Sequence, residues 1–234
     1  MAEHIDNNKL HQMDEEGLLY RFQYQCKFMG FGEEDIKLIK GSAPLVAPLV
    51  PAIVDAVYVK LFSFDVTKEY FTKRGTGYKG KVDGLKEINL NSEQIKFRKD
   101  MLSRYLTKLV TAKYNNGFIK YLDWVAKIHT AGVGAKSINV DYTHINALMG
   151  YVEDVVLGAL LEADVEEEAK RKTIRAYNKL LWIQNDLFAR HYVHQSNKQA
   201  SSECGTENKK CMGLGIGLAV GLAGAAVFHY ISQK

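Results

Sequence analysis

The sequence is poor in proline, and its few prolines are confined to one short region. All three, Pro44, Pro48 and Pro51, lie within eight residues of one another in a chain of 234 residues. Proline breaks the interior of a helix, so the long remainder of the chain is free of that obstacle. With 47% hydrophobic and 25% charged residues, the composition is that of an ordinary globular protein. These features favour an all-α fold with one substantial core.

The chain also has few cysteines and only a small net charge. The three cysteines, Cys26, Cys204 and Cys211, lack the spacing of a disulfide framework, which is typical of a reducing compartment. A net charge of +4 without a long basic run argues against nucleic acid as a partner. Residues 1–14 are polar, so they predict a disordered leader rather than a secretory signal.

Helical periodicity with short breaks extends from Glu15 to about Gln195. A first amphipathic stretch ends at Gly30, and an apolar helix follows the prolines. Ser92 is a candidate cap for the next long helix, and an aromatic-rich helix ends at His129. Two long helices close the region. We therefore predict one helical domain over residues 15–195.

The chain changes character after this domain. Residues 196–211 are polar and predict a linker, whereas residues 212–231 contain no Asp, Glu, Lys or Arg. Twenty helical residues span about 30 Å, the thickness of the hydrocarbon core of a bilayer. Lys209 and Lys210 precede the stretch, as is typical of a cytosolic side. The sequence predicts a single-pass C-terminal tail anchor with the domain in the cytosol; a buried core helix is the alternative.

Two features of the tail are open to more than one interpretation. Gly213, Gly217 and Gly221 form overlapping GxxxG spacings, which allow close helix contact but also arise by chance in a glycine-rich segment. Cys204 and Cys211 are either acylated or free thiols.

Motifs for catalysis are weak. There is no G-x-S-x-G elbow, and "GTGYKG" lacks the strand and helix that surround a phosphate loop. We interpret His191 and His194, spaced i, i+3, as a solvated helix end. His129 continues an apolar helical stripe and precedes glycines. From periodicity alone it is either a packed core residue or a ligand.

Four stretches, in this order and spacing, resemble the protoglobins and globin-sensor haem domains. They are "YRFQYQCKFMGFGEEDIKLIKGSAPLVAPLV", "IVDAVYVKLF", "KYNNGFIKYLDWVAKIH" and "HTAGVGAKSINVDY". The resemblance covers residues 18 to about 193. It implies a globin fold, a three-over-three helical sandwich with an extra N-terminal helix.

The resemblance also implies a haem b site. His129 falls on the proximal iron ligand, and Tyr58 on the distal tyrosine that hydrogen-bonds bound oxygen. Val57 replaces an aromatic residue common before that tyrosine, and Leu102 stands where relatives often have phenylalanine, which affects the expected ligand access. The remaining expected pocket residues are Leu106, Val125, Ile128, Tyr142, Ile145 and Met149.

We therefore expect a membrane-anchored, non-catalytic haem protein that binds O2, NO or CO as a gas sensor or oxygen-binding globin. The family also implies a homodimer through the last two long helices. One alternative is a haem enzyme that removes NO or peroxide with a separate reductase partner. Another is a haem-free, tail-anchored interaction protein of the Bcl-2 type, although the N-W-G-R signature of that class is absent.

Overall fold

The computed structural model describes residues 2–74, 77–130 and 138–204, and the regular elements of this part of the chain are all helices, as the sequence predicts. Side chains are described as far as Ser196. Two short 3-10 helices, η1 (Ala47–Leu49) and η2 (Glu69–Thr72), flank longer elements. The α-helices are α1 (Asn7–Leu10), α2 (Glu15–Met29), α3 (Glu33–Gly41), α4 (Ala43–Val46), α5 (Val50–Phe62), α6 (Asp65–Lys68), α7 (Glu93–Thr111), α8 (Asn116–Lys127), α9 (Tyr142–Leu161) and α10 (Glu167–Cys204).

Polar caps set the ends of several helices. The side chains of Asp14, Asn115 and Asp141 accept hydrogen bonds from backbone N–H groups in the first turns of α2, α8 and α9. Gly30 ends α2 in the left-handed region, with φ of 62°, where a side chain would be strained. Ser92 lies at the start of α7, but its hydroxyl accepts from the Asn89 N–H instead of capping the helix.

The three prolines occupy positions that a helix tolerates. Each lies in the first turn of its own element, Pro44 in α4, Pro48 in η1 and Pro51 in α5. A first-turn N–H has no partner within the helix, so its loss costs little there. Residues 43–62 therefore run as three successive helical pieces.

The core lies where α5 packs between α7 and α9. α2 packs on α8, and α3 packs on α7. Ile39, Ile95, Leu180 and Ile183 are completely buried. Burying one such side chain contributes about 1.5 to 3 kcal/mol, so these contacts hold the helices around the site described below.

Two described helical stretches are long and apolar enough to cross a membrane, Ala43–Phe62 and Tyr142–Leu161. Both place side chains in the core, among them Ile53 and Val57 in the first and Val156 in the second. We interpret them as core helices. The predicted anchor, residues 212–231, lies outside the described residues.

The N-terminal segment, expected to be a disordered leader, is held by long-range hydrogen bonds. The Tyr20 hydroxyl accepts from the Asp6 N–H at 2.8 Å, and Arg21 donates to the Leu10 carbonyl at 3.3 Å. Arg190 of α10 donates to the Gln12 carbonyl at 2.9 Å. These partners lie on α2 and α10, so the local polarity of the segment does not indicate them. At the other end of the domain, α10 continues to Cys204, into the predicted linker.

Candidate haem site

His129 lies in the turn that follows α8. Its backbone N–H donates to the Ala126 carbonyl at 3.1 Å, which continues the helical winding past Lys127. The ring Nδ1 lies 2.7 Å from the Val125 carbonyl oxygen. A carbonyl only accepts, so Nδ1 carries the proton and Nε2 keeps its lone pair. Nε2 has no hydrogen-bond partner among the residues that the structure describes.

The electrostatic environment of His129 keeps the imidazole neutral. Burial lowers the pKa of His129, the hydrogen bond to Val125 opposes this, and the positive charge of Arg98 lowers the pKa further. Only a neutral imidazole can bind a metal. At neutral pH, His129 therefore presents an unprotonated Nε2.

Helix α10 holds the outer side of this segment. The Phe188 ring meets the His129 ring edge-on, with the ring centroids 5.5 Å apart. The Tyr192 hydroxyl lies 2.7 Å from the Val140 carbonyl oxygen and 3.3 Å from that of His129. The Val140 N–H donates to the His129 carbonyl at 2.8 Å. These contacts fix the backbone of His129 and orient its ring.

Tyr58 of α5 is buried, with 5% of its surface exposed. Its ring packs on that of Phe71, with the centroids 5.6 Å apart. The hydroxyl has no hydrogen-bond partner in the described part of the chain. Burial raises the pKa of Tyr58, so the hydroxyl keeps its proton and remains a donor.

Arg98, on α7, acts on both Tyr58 and His129. Its positive charge opposes the rise that burial gives to the pKa of Tyr58, and it adds to the fall that burial gives to the pKa of His129. Four apolar side chains of α7 and of the end of α8 stay partly exposed: Leu102, Tyr105, Val125 and Ile128. The first three also pack against the core. A histidine with a free nitrogen, a tyrosine with a free hydroxyl and partly exposed apolar side chains are the kinds of group that haem needs, namely an axial ligand, a polar distal group and apolar faces.

The other expected pocket residues lie in two further environments. Leu106 and Ile145 are buried in the core, and Leu106 lines an apolar cavity of about 20 Å³ between α5, α7, α9 and α10. Tyr142 and Met149 contact α10: the Tyr142 hydroxyl lies 3.3 Å from Asn185 Oδ1, and Met149 lines a groove with Trp182. The helical spacing of α9 does not show which of its faces meets α10.

The interpretation of His191 as a solvated helix end is wrong. His191 is 6% exposed, and its Nε2 donates to Asp123 Oδ1 at 2.9 Å. Arg190, also buried, donates to the same oxygen at 2.6 Å. Asp123 lies on α8, 68 residues away from His191 in sequence, so the pattern around His191 carried no sign of it. The sequence patterns also gave no sign of three further residues near the site, because their contacts are made with other helices: Phe188, Tyr192 and Arg98.

The buried charge cluster of Asp123, Arg190 and His191 predicts a large loss of stability on mutation. Asp123→Ala leaves the Arg190 charge buried without its carboxylate, and we expect the free energy of unfolding to fall by about 3 kcal/mol in urea titrations. Lys172→Ala, which breaks an exposed pair with Glu168, is the control and should change it by less than about 0.5 kcal/mol. Equal effects of the two variants would contradict the prediction.

The same cluster gives the stability a pH dependence. Burial by itself raises the pKa of Asp123, but the hydrogen bond from His191 and the charges of His191 and Arg190 lower it overall. A lowered folded-state pKa stabilises the fold at neutral pH, and this contribution is lost as the pH falls below the usual carboxyl value. The acid branch of the unfolding curve should therefore flatten in Asp123→Ala.

The comparisons with known proteins concern the fold and the family. The family model described as Protoglobin matches residues 18–198. Among solved structures, the globin domain of the Geobacter sulfurreducens globin-coupled sensor is similar, with a TM-score of 0.58 and 21% sequence identity over 73% of this chain and 96% of that chain. No curated protein matches the chain. The helices thus form a globin fold, and because the family model covers most of its length, the chain belongs to the protoglobin family.

Proposed function

We propose that this chain is a haem b protein that binds a diatomic gas, O2, NO or CO. The observation that carries the proposal is a pair of unused groups, the Nε2 of His129 and the hydroxyl of Tyr58, together with the partly exposed apolar side chains of α7 and of the end of α8. When bound, haem supplies an iron atom with an open position for a gas. Family membership supports the same conclusion.

Each residue has a defined part in this proposal. His129 would hold the iron through Nε2, while the Nδ1–H bond to the Val125 carbonyl fixes the tautomer and the ring plane. Tyr58 would donate a hydrogen bond to a gas ligand that carries partial negative charge. The apolar lining would exclude water. We assign it to Leu102, Leu106, Val125, Ile128, Tyr142, Ile145 and Met149.

We further propose that the protein acts as a gas sensor. The structural neighbour is described as the globin domain of a sensor. Within this chain, α10 contacts the His129 segment through Phe188 and Tyr192, so a displacement of His129 would act on α10. In a homodimer formed through α9 and α10, α10 would contact the second copy of the chain. The half-exposed Trp182, beside a groove of about 120 Å³ between these helices, supports such an interface.

The test of haem binding is optical. The full chain in detergent, titrated with haem, should give a Soret band that saturates at one haem per chain and shifts with CO and NO. Absence of a saturable band would overturn the proposal and favour a haem-free interaction protein. Catalytic consumption of NO with a supplied reductant would instead favour the enzyme alternative.

We also propose that the haem domain, residues 15–195, is joined by the linker of residues 196–211 to a membrane anchor at residues 212–231. The support is the uncharged, apolar sequence of the anchor and the lysines before it. The domain then lies in the cytosol.

Deletion of residues 212–234 should move the protein from the membrane fraction to the soluble fraction. Leu222→Arg, near the middle of the segment, should release part of it, because a central arginine costs about 2.5 to 3.5 kcal/mol on insertion. Leu222→Val is the matched control and should stay with the membrane. If the truncated protein still sediments with membranes, residues 212–231 are not the anchor.

A further inference from the structure

The net charge of the chain comes from one loop, which lies between η2 and α7. Of the 31 Lys and Arg and the 27 Asp and Glu in the chain, residues 73–86 hold five basic residues and one acidic residue. The remaining residues therefore contain 26 of each kind and carry no formal net charge. The structure describes this loop except for residues 75 and 76. Its five basic side chains, which we call the basic loop surface, are all exposed: Lys73, Arg74, Lys79, Lys81 and Lys86.

Carboxylates do not neutralise the basic loop surface. None of its five side chains forms an ion pair with a residue that the structure describes. Elsewhere in the domain, several exposed lysines pair with a carboxylate, as Lys37 does with Glu34 at 2.6 Å. Uncompensated charges of one sign add up to a positive potential at the surface, which attracts a negatively charged partner.

Hydrogen bonds give the loop a defined backbone. The buried Gln94 side chain accepts from the Asp83 N–H at 2.8 Å and donates to the Phe71 carbonyl at 3.3 Å, so it holds both ends of the loop. Arg74 donates to the Gly80 carbonyl at 2.7 Å, across the loop. The basic side chains are therefore presented by a folded segment of the domain.

An exposed apolar side chain accompanies the basic residues. Leu85 directly precedes Lys86 and is 46% exposed. Surfaces that lie on a membrane combine basic residues, which meet anionic headgroups, with apolar side chains that enter the boundary between headgroups and acyl chains. Leu85 therefore favours a lipid surface over an acidic protein as the partner of the loop.

The loop begins beside the last part of the domain. The hydroxyl of Tyr70, in η2, accepts from the Asp141 N–H at 3.3 Å, and the carbonyl of Val140 accepts from the Tyr192 hydroxyl at 2.7 Å. Tyr192 lies four residues before the predicted linker, residues 196–211, which leads to the predicted anchor. The start of the loop therefore lies near the part of the domain that is closest to the anchor along the chain.

We propose that the basic loop surface binds the headgroups of anionic phospholipids in the membrane that holds the anchor. The proposal rests on the membrane anchoring proposed above. The cytosolic leaflet of a membrane carries a negative surface potential, which attracts clusters of basic residues close to it. The five basic residues meet this potential, and Leu85 enters the headgroup region. The anchor holds the protein in a bilayer of any composition, whereas the loop makes the contact between the domain and the bilayer depend on lipid charge.

The test is limited proteolysis of the full chain in lipid vesicles. The protein is reconstituted into vesicles of phosphatidylcholine alone and into vesicles that also contain about 30 mol% of the anionic lipid phosphatidylserine. Trypsin cleaves after Lys and Arg, so cleavage after Arg74 and Lys86 reports access to the loop. Cleavage after Lys113, which is exposed between α7 and α8, is the internal reference.

Relative to cleavage at Lys113, we expect cleavage at the loop to be at least about fivefold slower in the vesicles with phosphatidylserine, because the headgroups cover the basic side chains. The difference between the two kinds of vesicle should disappear at about 1 M salt, where the screening length falls to about 3 Å.

Two double variants separate the charge of the loop from the charge of the whole domain. K79Q/K81Q removes two of the five basic residues, so the difference between the two kinds of vesicle should fall to less than about twofold. K40Q/K172Q removes two exposed lysines outside the loop and should keep the difference seen in the wild type.

Three results would overturn the proposal. One is equal cleavage of the loop in the two kinds of vesicle, which would point to an acidic protein as the partner. A second is equal slowing at Lys113, which would show general shielding of the domain. The third is a K79Q/K81Q variant that behaves as the wild type.

Failure of the anchor gives a separate result, because the full chain would then not sediment with phosphatidylcholine vesicles. In that case, sedimentation with the vesicles that contain phosphatidylserine would still support the basic loop surface. Sedimentation with neither kind of vesicle would overturn both proposals.

Discussion

His129→Ala should lose the saturable Soret complex that the wild type forms with haem. The substitution removes the nitrogen that we assign to the iron, and the remaining apolar contacts hold haem without an axial protein ligand. Loss of a group that merely orients a metal ligand costs about 10- to 100-fold in affinity, so loss of the ligand itself should exceed about 100-fold. Haem titration monitored by absorption gives the affinity directly.

Two further variants make this result specific. His144→Ala removes another partly buried histidine, which packs edge-on against Tyr70, and should leave the haem spectrum unchanged. His129→Gly opens space for free imidazole, which should restore the spectrum if the missing nitrogen is the cause. If His129→Ala and the wild type give the same spectrum, the proximal assignment is wrong.

Tyr58→Phe should release O2 faster. The hydroxyl is the sole change, and it has no hydrogen-bond partner in the described part of the chain, so its removal breaks no bond that holds the fold. A hydrogen bond to a ligand with partial charge contributes about 1.5 to 3 kcal/mol, which corresponds to a dissociation rate about 10- to 100-fold higher. Flash photolysis or stopped-flow mixing measures this rate. The dissociation rate of CO, which is less polar when bound, should change by less than about threefold.

Tyr114→Phe provides the matched tyrosine control. The Tyr114 hydroxyl donates to the Leu109 carbonyl at 2.6 Å, so its loss should lower stability but leave O2 dissociation as in the wild type. An unchanged O2 rate in Tyr58→Phe would remove the distal role of Tyr58. Equal acceleration in both variants would show a general loosening of the domain.

Local patterns along the chain determined the helical fold. Helical spacing, capping residues such as Asp141, the left-handed Gly30 and the confinement of the prolines to first turns are all properties of a few consecutive residues. Local sequence is therefore sufficient to locate the longer helices, α2, α3, α5 and α7 through α10, but not the short α4 and α6. The order of short motifs was sufficient to indicate the family. The roles of His129 and Tyr58 and the membrane anchor stay predictions.

The tertiary structure decided which side chains act on these two residues. The partners of the site come from helices far apart in sequence: Phe188 and Tyr192 beside His129, Phe71 beside Tyr58, and Arg98 near both. Their placement depends on how the helices cross. A helical period shows that one face is apolar, but not which residues of another helix meet it.

The same limit explains the corrections. His191 seemed solvated because its carboxylate partner, Asp123, lies on a different helix, and the N-terminal segment seemed free because its donors lie on α2 and α10. By itself, the sequence determined the long helices and predicted the two central residues of the candidate site. The proton on His129 Nδ1 follows from the Val125 carbonyl, only four residues away. Only the packing of the helices decided the edge-on contact of Phe188 with the His129 ring and the buried charge cluster, because both depend on contacts between residues distant in the chain.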